Sequence, residues 1–254
     1  LADTLALIFA AGILVVFAVL HHSEFSLAER QVLTALAITA GFALLAWFVG
    51  GVNVSGTLAG SAVAFIMAVR DLRMFLALLV VFAVTLVATR IGYARKQQLR
   101  SAEPPGGRTA AQAMANLGVA ALVVAIGSAG WPVLALAALA EAAADTGSSE
   151  LGMAFPGKTF LITNLRPVPA GTDGGVSLFG TLAALLGAAA VAFTATASGL
   201  ISLRQTIAII VAGFLGTLVD SLLGAIFERR GRLNNDLVNL FSTAATVGIA
   251  WLFR

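Results

Sequence analysis

Apolar runs long enough to cross a bilayer constrain this chain more than any other feature. Thr4 to Leu20, Val32 to Val49, Met74 to Ala88 and Leu203 to Phe227 reach or approach the roughly 20 residues a spanning helix needs. The rest of the composition agrees: of 254 residues 59% are hydrophobic and 11% charged, with a mean hydropathy of +0.99, far more apolar than a soluble globular chain. Barrel-like alternation is absent, so an all-α polytopic bundle is expected. There is no cysteine, which excludes disulfides, thiolate metal sites and a cysteine nucleophile. His21 and His22, adjacent at a helix end, read as an interfacial pair. The sequence begins at Leu1 with Asp3 where a signal peptide would be basic, so the first run reads as a retained span. A net charge of +3 suggests no nucleic-acid role, and the basic residues serve as orientation markers.

The pattern predicts nine helices: Asp3 to Leu20, Arg30 to Phe48, Val54 to Val69, Leu72 to Arg90, Thr109 to Gly127, Pro132 to Ala144, Gly175 to Ala197, Leu203 to Phe227 and Asn235 to Phe253. The third and sixth are short for a span. If all nine cross, Arg90, Arg95, Lys96, Arg100, Arg108, Lys158, Arg166, Arg229, Arg230 and Arg232 collect on one side, ten of the fifteen basic residues. The positive-inside rule makes that side cytoplasmic, with the amino terminus inside and the carboxyl terminus outside. The long connections Ile91 to Arg108, Asp145 to Gly174 and Glu228 to Asn234 then all lie inside. The first, with its SAEPPGGR stretch, reads as a solvated topology determinant; the second mixes acids, hydroxyls and glycines beyond what a tether needs. Short repeats, VSGTLAG, VSLFGTLAA and GFLGTLVDS, place small residues at helical spacing where helices approach closely.

GMAFPGKT, Gly152 to Thr159, fits the written pattern of a phosphate-binding P-loop. That motif acts only between a strand and a helix, and here an alanine-rich helix precedes it while an extended segment with two prolines follows. The match therefore reads as coincidence, although Lys158 could still contact phosphate locally. AEAAADTGSSELG is stronger: Glu141, Asp145 and Ser149 recur every four residues and share one helix face. Carboxylates there are costly unless they face a polar interior, and they mark an ion or substrate path. Oxygen ligands point to Mg²⁺, which takes one or two carboxylates and completes its shell with phosphate and water. In VPAGTDGGVSLFG, Gly171, Gly174 and Gly175 surround Thr172 and Asp173 before a helix, an anion-cradle pattern. Asp220 lies eight residues before Glu228, about 12 Å along its helix from the edge, on a face with Gly213, Gly216, Thr217 and Gly224. Asn235, Asn239, Ser242 or Thr243, and Thr246 form a second polar stripe, with Asp236 beside its first turn; Arg108, Gln112 and Asn116 form a third.

At these residues the chain resembles the integral membrane phytyl-phosphate kinases and their relatives, the family of domain of unknown function ninety-two. The likeness rests on ADTGSSELG, FLITNLRPVPAGTDGGVSLFGTLAALLGA, LVDSLLGA and NNDLVNLFST, with GRTAAQAMAN as a weaker match, and covers most of the chain from Arg108 onwards. Family members commonly carry Asp-Thr-Trp-Ala-Ser-Glu where this chain has Asp145, Thr146, Gly147, Ser148, Ser149 and Glu150, so the carboxylates are kept. The Asp-Thr and Gly-Gly motifs are more distantly similar to those of dolichol kinase and phosphatidate cytidylyltransferase.

The resemblance implies a single integral membrane domain over 1–254, with more variable amino-terminal helices in 1–107 and the catalytic part in 108–254. It implies phosphorylation of an isoprenyl (phytyl or polyprenyl) monophosphate by a nucleoside triphosphate, CTP favoured, at the cytoplasmic face of a bacterial membrane. On that reading Asp145, Asp173, Asp220 and Asp236 are catalytic, and Asp145, Glu150 and either Asp173 or Asp236 hold Mg²⁺. Gly171, Thr172, Gly174 and Gly175 cradle donor phosphates with Ser149 and Asn116, while Lys158, Arg166 and Arg108 offset charge. Asp220, Asn234, Asn235 and Asn239 complete the acceptor site. Cytidylyl transfer or polyprenol phosphorylation is the alternative, a secondary transporter the third reading, and homo-oligomerisation stays open.

Overall fold

A computed structural model of the chain describes residues 1–22, 29–99, 101–103, 106–155 and 157–253. Arg100 and Arg254 of the charge count, Pro104 and Pro105 of SAEPPGGR, and Pro156 of GMAFPGKT lie outside the described residues. In chain order the elements are α1 (Ala2–Leu20), α2 (Glu29–Phe48), α3 (Val54–Arg70), α4 (Leu72–Arg90), α5 (Tyr93–Gln98), α6 (Ala110–Ile126) and α7 (Trp131–Ala154). There follow β1 (Thr159–Leu161), β2 (Pro167–Val168), β3 (Gly175–Ser177), α8 (Leu178–Ala197), α9 (Leu203–Ile226), a 3₁₀ turn at Glu228–Arg230, and α10 (Asn235–Trp251).

The expected all-α bundle is present, and each of the nine anticipated helices has its counterpart among the described residues. Five of them, α1, α2, α4, α8 and α9, are long and apolar enough to cross a membrane, and α3 and α6 are shorter apolar helices. The helices start where the sequence supplies caps. Asn53 Oδ1 accepts from Gly56 N at 2.8 Å, Asp71 Oδ1 from Arg73 N at 2.8 Å and Asn234 Oδ1 from Leu237 N at 3.0 Å, and Thr109 with Gln112 and Ser202 with Gln205 form capping boxes on α6 and α9. Each cap satisfies one of the orphan donors of a first turn.

Three departures from expectation matter for the site. The sixth helix does not stop at Ala144 but runs on as α7 to Ala154, so ADTGSSELG is helix rather than loop. Its polar residues suggested an exit from the bundle, yet Asp145, Thr146, Gly147 and Glu150 are buried by neighbouring helices. The segment read as extended with a turn is a three-stranded antiparallel sheet of order β2-β1-β3, in which Thr159 pairs with Val168 on one side and Ser177 on the other. Helix α8 therefore begins at Leu178, not Gly175, with Ser177 as its cap. Finally, the basic loop after α4 contains the short helix α5.

The core is built from small side chains. Alanine dominates the buried apolar set, whereas Leu186, Phe193, Leu203, Ile207 and Trp47 point outward. Such inversion suits a lipid solvent, in which association rests on close backbone approach and not on the exclusion of water. A Cβ on Gly180 would stand 2.9 Å from Ser148 O, and one on Gly216 would stand 2.6 Å from Glu141 Cγ. The repeated GTL segments are thus explained by packing.

Candidate active site

Two stripes at helical spacing meet where α7, α9 and the sheet converge. From α7 come Asp145, Ser148, Ser149 and Gly152; from α9 come Asp220, Ser221, Gly224 and, just beyond, Glu228. The loop between β2 and β3 closes the third side. Together with Ser101, Thr159 and Asn235 they enclose a cavity of about 260 Å³. Asp145, Asp173 and Asp220, drawn from three separate segments, are brought together there, as the sequence suggested, with Gly171, Thr172, Gly174, Gly175, Ser149 and Asn235.

The glycine loop sits where it does for steric reasons. Gly174 has φ +73, and a Cβ on it would lie 2.4 Å from Ala225 Cβ and 2.6 Å from Ser221 O. Only a glycine lets the loop lie flat on the last turn of α9. Internally, Thr172 Oγ1 donates to Pro169 O at 2.7 Å and Gly175 N to Thr172 O at 2.8 Å, so Thr172 holds the shape of the turn. Strand β3 separates this loop from α8, and the α8 amide at Gly180 is already taken by Ser177 Oγ at 3.1 Å. The cradle is accordingly a turn, not the helix-start anion site that the sequence implied.

Beneath the cavity a polar column descends between helices. Asp145 and Asp220 stand within hydrogen-bonding reach of each other. The Ser242 hydroxyl donates to Glu141 Oε1 at 2.7 Å, with Asp220 Oδ2 3.3 Å away. Oriented so that each end of the amide meets a complementary group, Asn239 donates to Asp220 Oδ2 at 3.1 Å and to Asn235 O at 3.2 Å, and accepts from Asn116 Nδ2 at 3.2 Å. Asn116, buried in α6, also donates to Gln112 O at 2.9 Å. It supports Asn239 from behind and does not line the cavity.

Several assigned residues stand elsewhere. Glu150 is held by Lys96, whose buried ammonium donates to Glu150 Oε2 at 2.6 Å, Thr89 O at 2.7 Å and Ala88 O at 2.9 Å; it is a clamp between α7 and α5, not a cavity ligand. Lys158 is exposed beside Phe160 and Phe179, because strand alternation turns Thr159 inward and its neighbours outward. Arg166 lies on the exposed turn between β1 and β2, where its N–H donates to Asn164 Oδ1 at 3.0 Å. Asn234 caps α10 and has no place in the cavity wall. Asp236 faces a different charged group, with Asp3, Glu103 and Arg108 as its electrostatic neighbours. GMAFPGKT follows a helix and precedes β1, the reverse of the order a P-loop needs.

Sequence reasoning overlooked Glu228, Ser101, Ser148 and Ser221. The signal for Glu228 was available: Asp220, Gly224 and Glu228 repeat the four-residue spacing recognised at Glu141, Asp145 and Ser149.

The donor set has a definite chemistry. Four carboxylates, those of Asp145, Asp173, Asp220 and Glu228, line the cavity among the described residues, and no lysine or arginine does. Carboxylates crowded into one space are favourable only when protons or a cation offset their mutual repulsion. Among the described residues no three acidic or histidine side chains form a preassembled metal group, so the expected set of Asp145 and Glu150 with either Asp173 or Asp236 is not assembled. The adjacent pair Asp145 and Asp220 matches the one or two carboxylates by which Mg²⁺ is held when phosphate oxygens complete its shell.

Comparison with known proteins places this architecture. The family described as Integral membrane protein DUF92 matches residues 37–247. The chain is 35% identical over 187 residues to the uncharacterized membrane protein sll0875 of Synechocystis sp., covering 70% of this chain and 72% of that one. It is 35% identical over 170 residues to the uncharacterized membrane protein MJ0933 of Methanocaldococcus jannaschii, covering 65% and 70%. Protein VTE6, chloroplastic, of Arabidopsis thaliana is 29% identical over 193 residues, covering 71% of this chain and 58% of VTE6. No solved structure matches the chain. With most of its length matched, and with multi-pass helices as that description requires, the chain belongs to the DUF92 family of integral membrane proteins.

Proposed function

We propose that the protein transfers the terminal phosphoryl group of a nucleoside triphosphate, CTP by preference, to an isoprenyl monophosphate, producing the diphosphate at the cytoplasmic face of the membrane. The observation that carries this reading is the convergence of Asp145, Asp173 and Asp220 on a cavity roofed by the Gly171–Gly175 turn, the same segments that resemble the phytyl-phosphate kinases. An oxygen of the acceptor phosphate attacks the γ-phosphorus; the bond from that phosphorus to the β–γ bridging oxygen breaks, and the nucleoside diphosphate leaves. The attacking oxygen is already anionic, so no general base is needed. Transfer of this kind depends on positioning and charge neutralisation.

Residues of the cavity and of the polar column beneath it divide that task. Asp145 and Asp220 would hold Mg²⁺, which supplies the positive charge the polyphosphate needs. Asn239 and Ser242 orient Asp220, and the loop carrying Asp173 bounds the donor phosphates. Asn235 borders the same space and would contact the acceptor phosphate. Buried Glu141 fixes Ser242 from below.

The test is conversion of farnesyl or phytyl monophosphate by purified protein with CTP labelled either in the γ-phosphate or in the cytidine. Kinase action puts γ-label on the lipid. Transfer of cytidine instead identifies a cytidylyltransferase, and absence of both products overturns the reading. Asp145→Asn should lower the rate by about 10²–10³-fold, the range for removing one charge-stabilising group; an unchanged rate would remove Asp145 from the site.

A further inference from the structure

A second space, reaching α7 at Ala142 and Thr146, has the opposite character to the acidic cavity that Asp145 lines. Between α2, α3, α4 and α6 runs an apolar groove of about 80 Å³ whose walls include Phe42, Ala46, Leu78, Val81 and Leu117. It meets a second hollow of about 210 Å³, and the two share Gly51, Phe82, Thr85 and Arg108. Phe42 meets Phe75 and Phe82 edge-to-face at 5.5 and 5.1 Å, so α2 is fastened to α4 across the groove by aromatic contacts.

Hydroxyls of Thr57, Ser61 and Thr85 are scattered along the walls, but the charged and amide groups come from one helix start. Arg108, Gln112 and Asn116 line that part of the groove, beside Thr146 of α7, the residue next to Asp145. The backbone of Arg108 is fixed: its N–H donates to Gly51 O at 3.1 Å and its C=O accepts from Asn53 N at 3.0 Å. A Cβ on Gly56 would stand 2.1 Å from Arg108 O, so α3 closes directly on this point. Among the described residues no carboxylate forms an ion pair with the Arg108 guanidinium. A pinned arginine without a direct ion pair, whose charge reaches Asp145 and Asp236, complements an amphiphile with one anionic head, held between that guanidinium and the carboxylate site, and one slender apolar tail.

We propose that this groove seats the isoprenyl chain of the acceptor and that Arg108 anchors its phosphate beside the acidic cavity. The inference rests on the isoprenyl-phosphate reading and deepens it by naming where the acceptor binds. A tail that enters from lipid exchanges one apolar environment for another, so the groove governs chain length and placement, while the charge-assisted contact to Arg108 supplies affinity.

Gly60 offers a clean probe. It lines the groove, and a Cβ built on it meets nothing within 4 Å, so Gly60→Phe fills the channel without colliding with the backbone; Leu117→Trp fills it from α6. Membranes containing the protein are irradiated with diazirine-tagged farnesyl monophosphate, and the labelled peptides are mapped. Label is expected on α2, α3, α4 and α6, competed by farnesyl monophosphate but not by farnesol. Both groove-filling variants should lose it, and Arg108→Ala should weaken capture about 10–100-fold. Label confined to lipid-facing residues such as Leu186 and Phe193, label insensitive to all three variants, or equal competition by a diacyl phosphatidate would overturn the groove assignment. Diphosphate formation by the unaltered protein reports separately: activity with misplaced label sinks the groove alone, and correct label without product sinks the kinase reading alone.

Discussion

At the scale of single residues, the consequential pair is Lys96 with Glu150. The ammonium is wholly buried and its three donors are all satisfied, one by a carboxylate and two by carbonyls. Removing one partner strands the other charge in a low-dielectric setting. Lys96→Met should therefore destabilise the protein by about 3–5 kcal/mol, and Lys96→Met with Glu150→Gln should recover most of the loss, read as unfolding of detergent-solubilised protein. Failure of the double variant to recover would mean that the carbonyl contacts, not the ion pair, hold this joint. The sequence displayed both residues and misassigned both: Lys96 sat in a run of basic residues, and Glu150 sat in a family motif. Which acid finds a lysine fifty-four positions away is decided by tertiary packing, and no local pattern records it. Asp145, Asp173 and Asp220 were legible because each stands in a context that made a carboxylate expensive, an apolar helix or a glycine turn.

Among the elements, the small sheet carries the most information about the site. It holds the glycine loop over α9, so Gly174→Ala, which puts a methyl group where Ala225 already lies and demands φ +73 of a non-glycine residue, should lift the loop away. About 10²-fold loss of transfer activity is expected from a displacement near 1 Å, with the helical circular dichroism unchanged. Wild-type activity in this variant would detach the loop from catalysis. The helices were legible from their apolar length, and the caps Asn53, Asp71, Ser202 and Asn234 were present in the sequence but went unread. The strands were not legible, since two or three residues are too few to show alternation, and their pairing side decided the fate of Lys158. The stretch of α7 beyond Ala144 was hidden for a different reason: glycine, serine and acids resemble an exit from the membrane unless other helices are known to cover them.

For the whole molecule, contacts at helix ends set α1 parallel to α6 and α4 antiparallel to α8, as successive crossings of alternating direction require. Asp3 Oδ1 accepts from Ala111 N at 3.1 Å at the end bearing the acidic cavity. At the opposite end the His21 ring meets Ala125 O at 3.1 Å, and Arg73 donates to Gly199 O at 3.1 Å. The charge asymmetry of the sequence predicts that the cavity faces the cytoplasm. The absence of native cysteine makes the assignment easy to check: Thr172→Cys should react with an impermeant maleimide only in inverted vesicles, and Ser198→Cys only in intact cells. The reverse pattern would place the site outside. Asp3 also shows that α1, although it precedes the matched residues 37–247, braces the start of α6 and with it Arg108. The enclosure of α7 has a consequence for how such a chain is made. Helices α4 and α6 are synthesised before it, but α8, α9 and α10, which cover its remaining sides, emerge from the ribosome only afterwards. Bearing Glu141, Asp145 and Glu150, this segment is a poor guest for acyl chains on its own, so the nascent protein must shelter it at the translocon until its later neighbours arrive, and insertion cannot proceed as a simple one-by-one release.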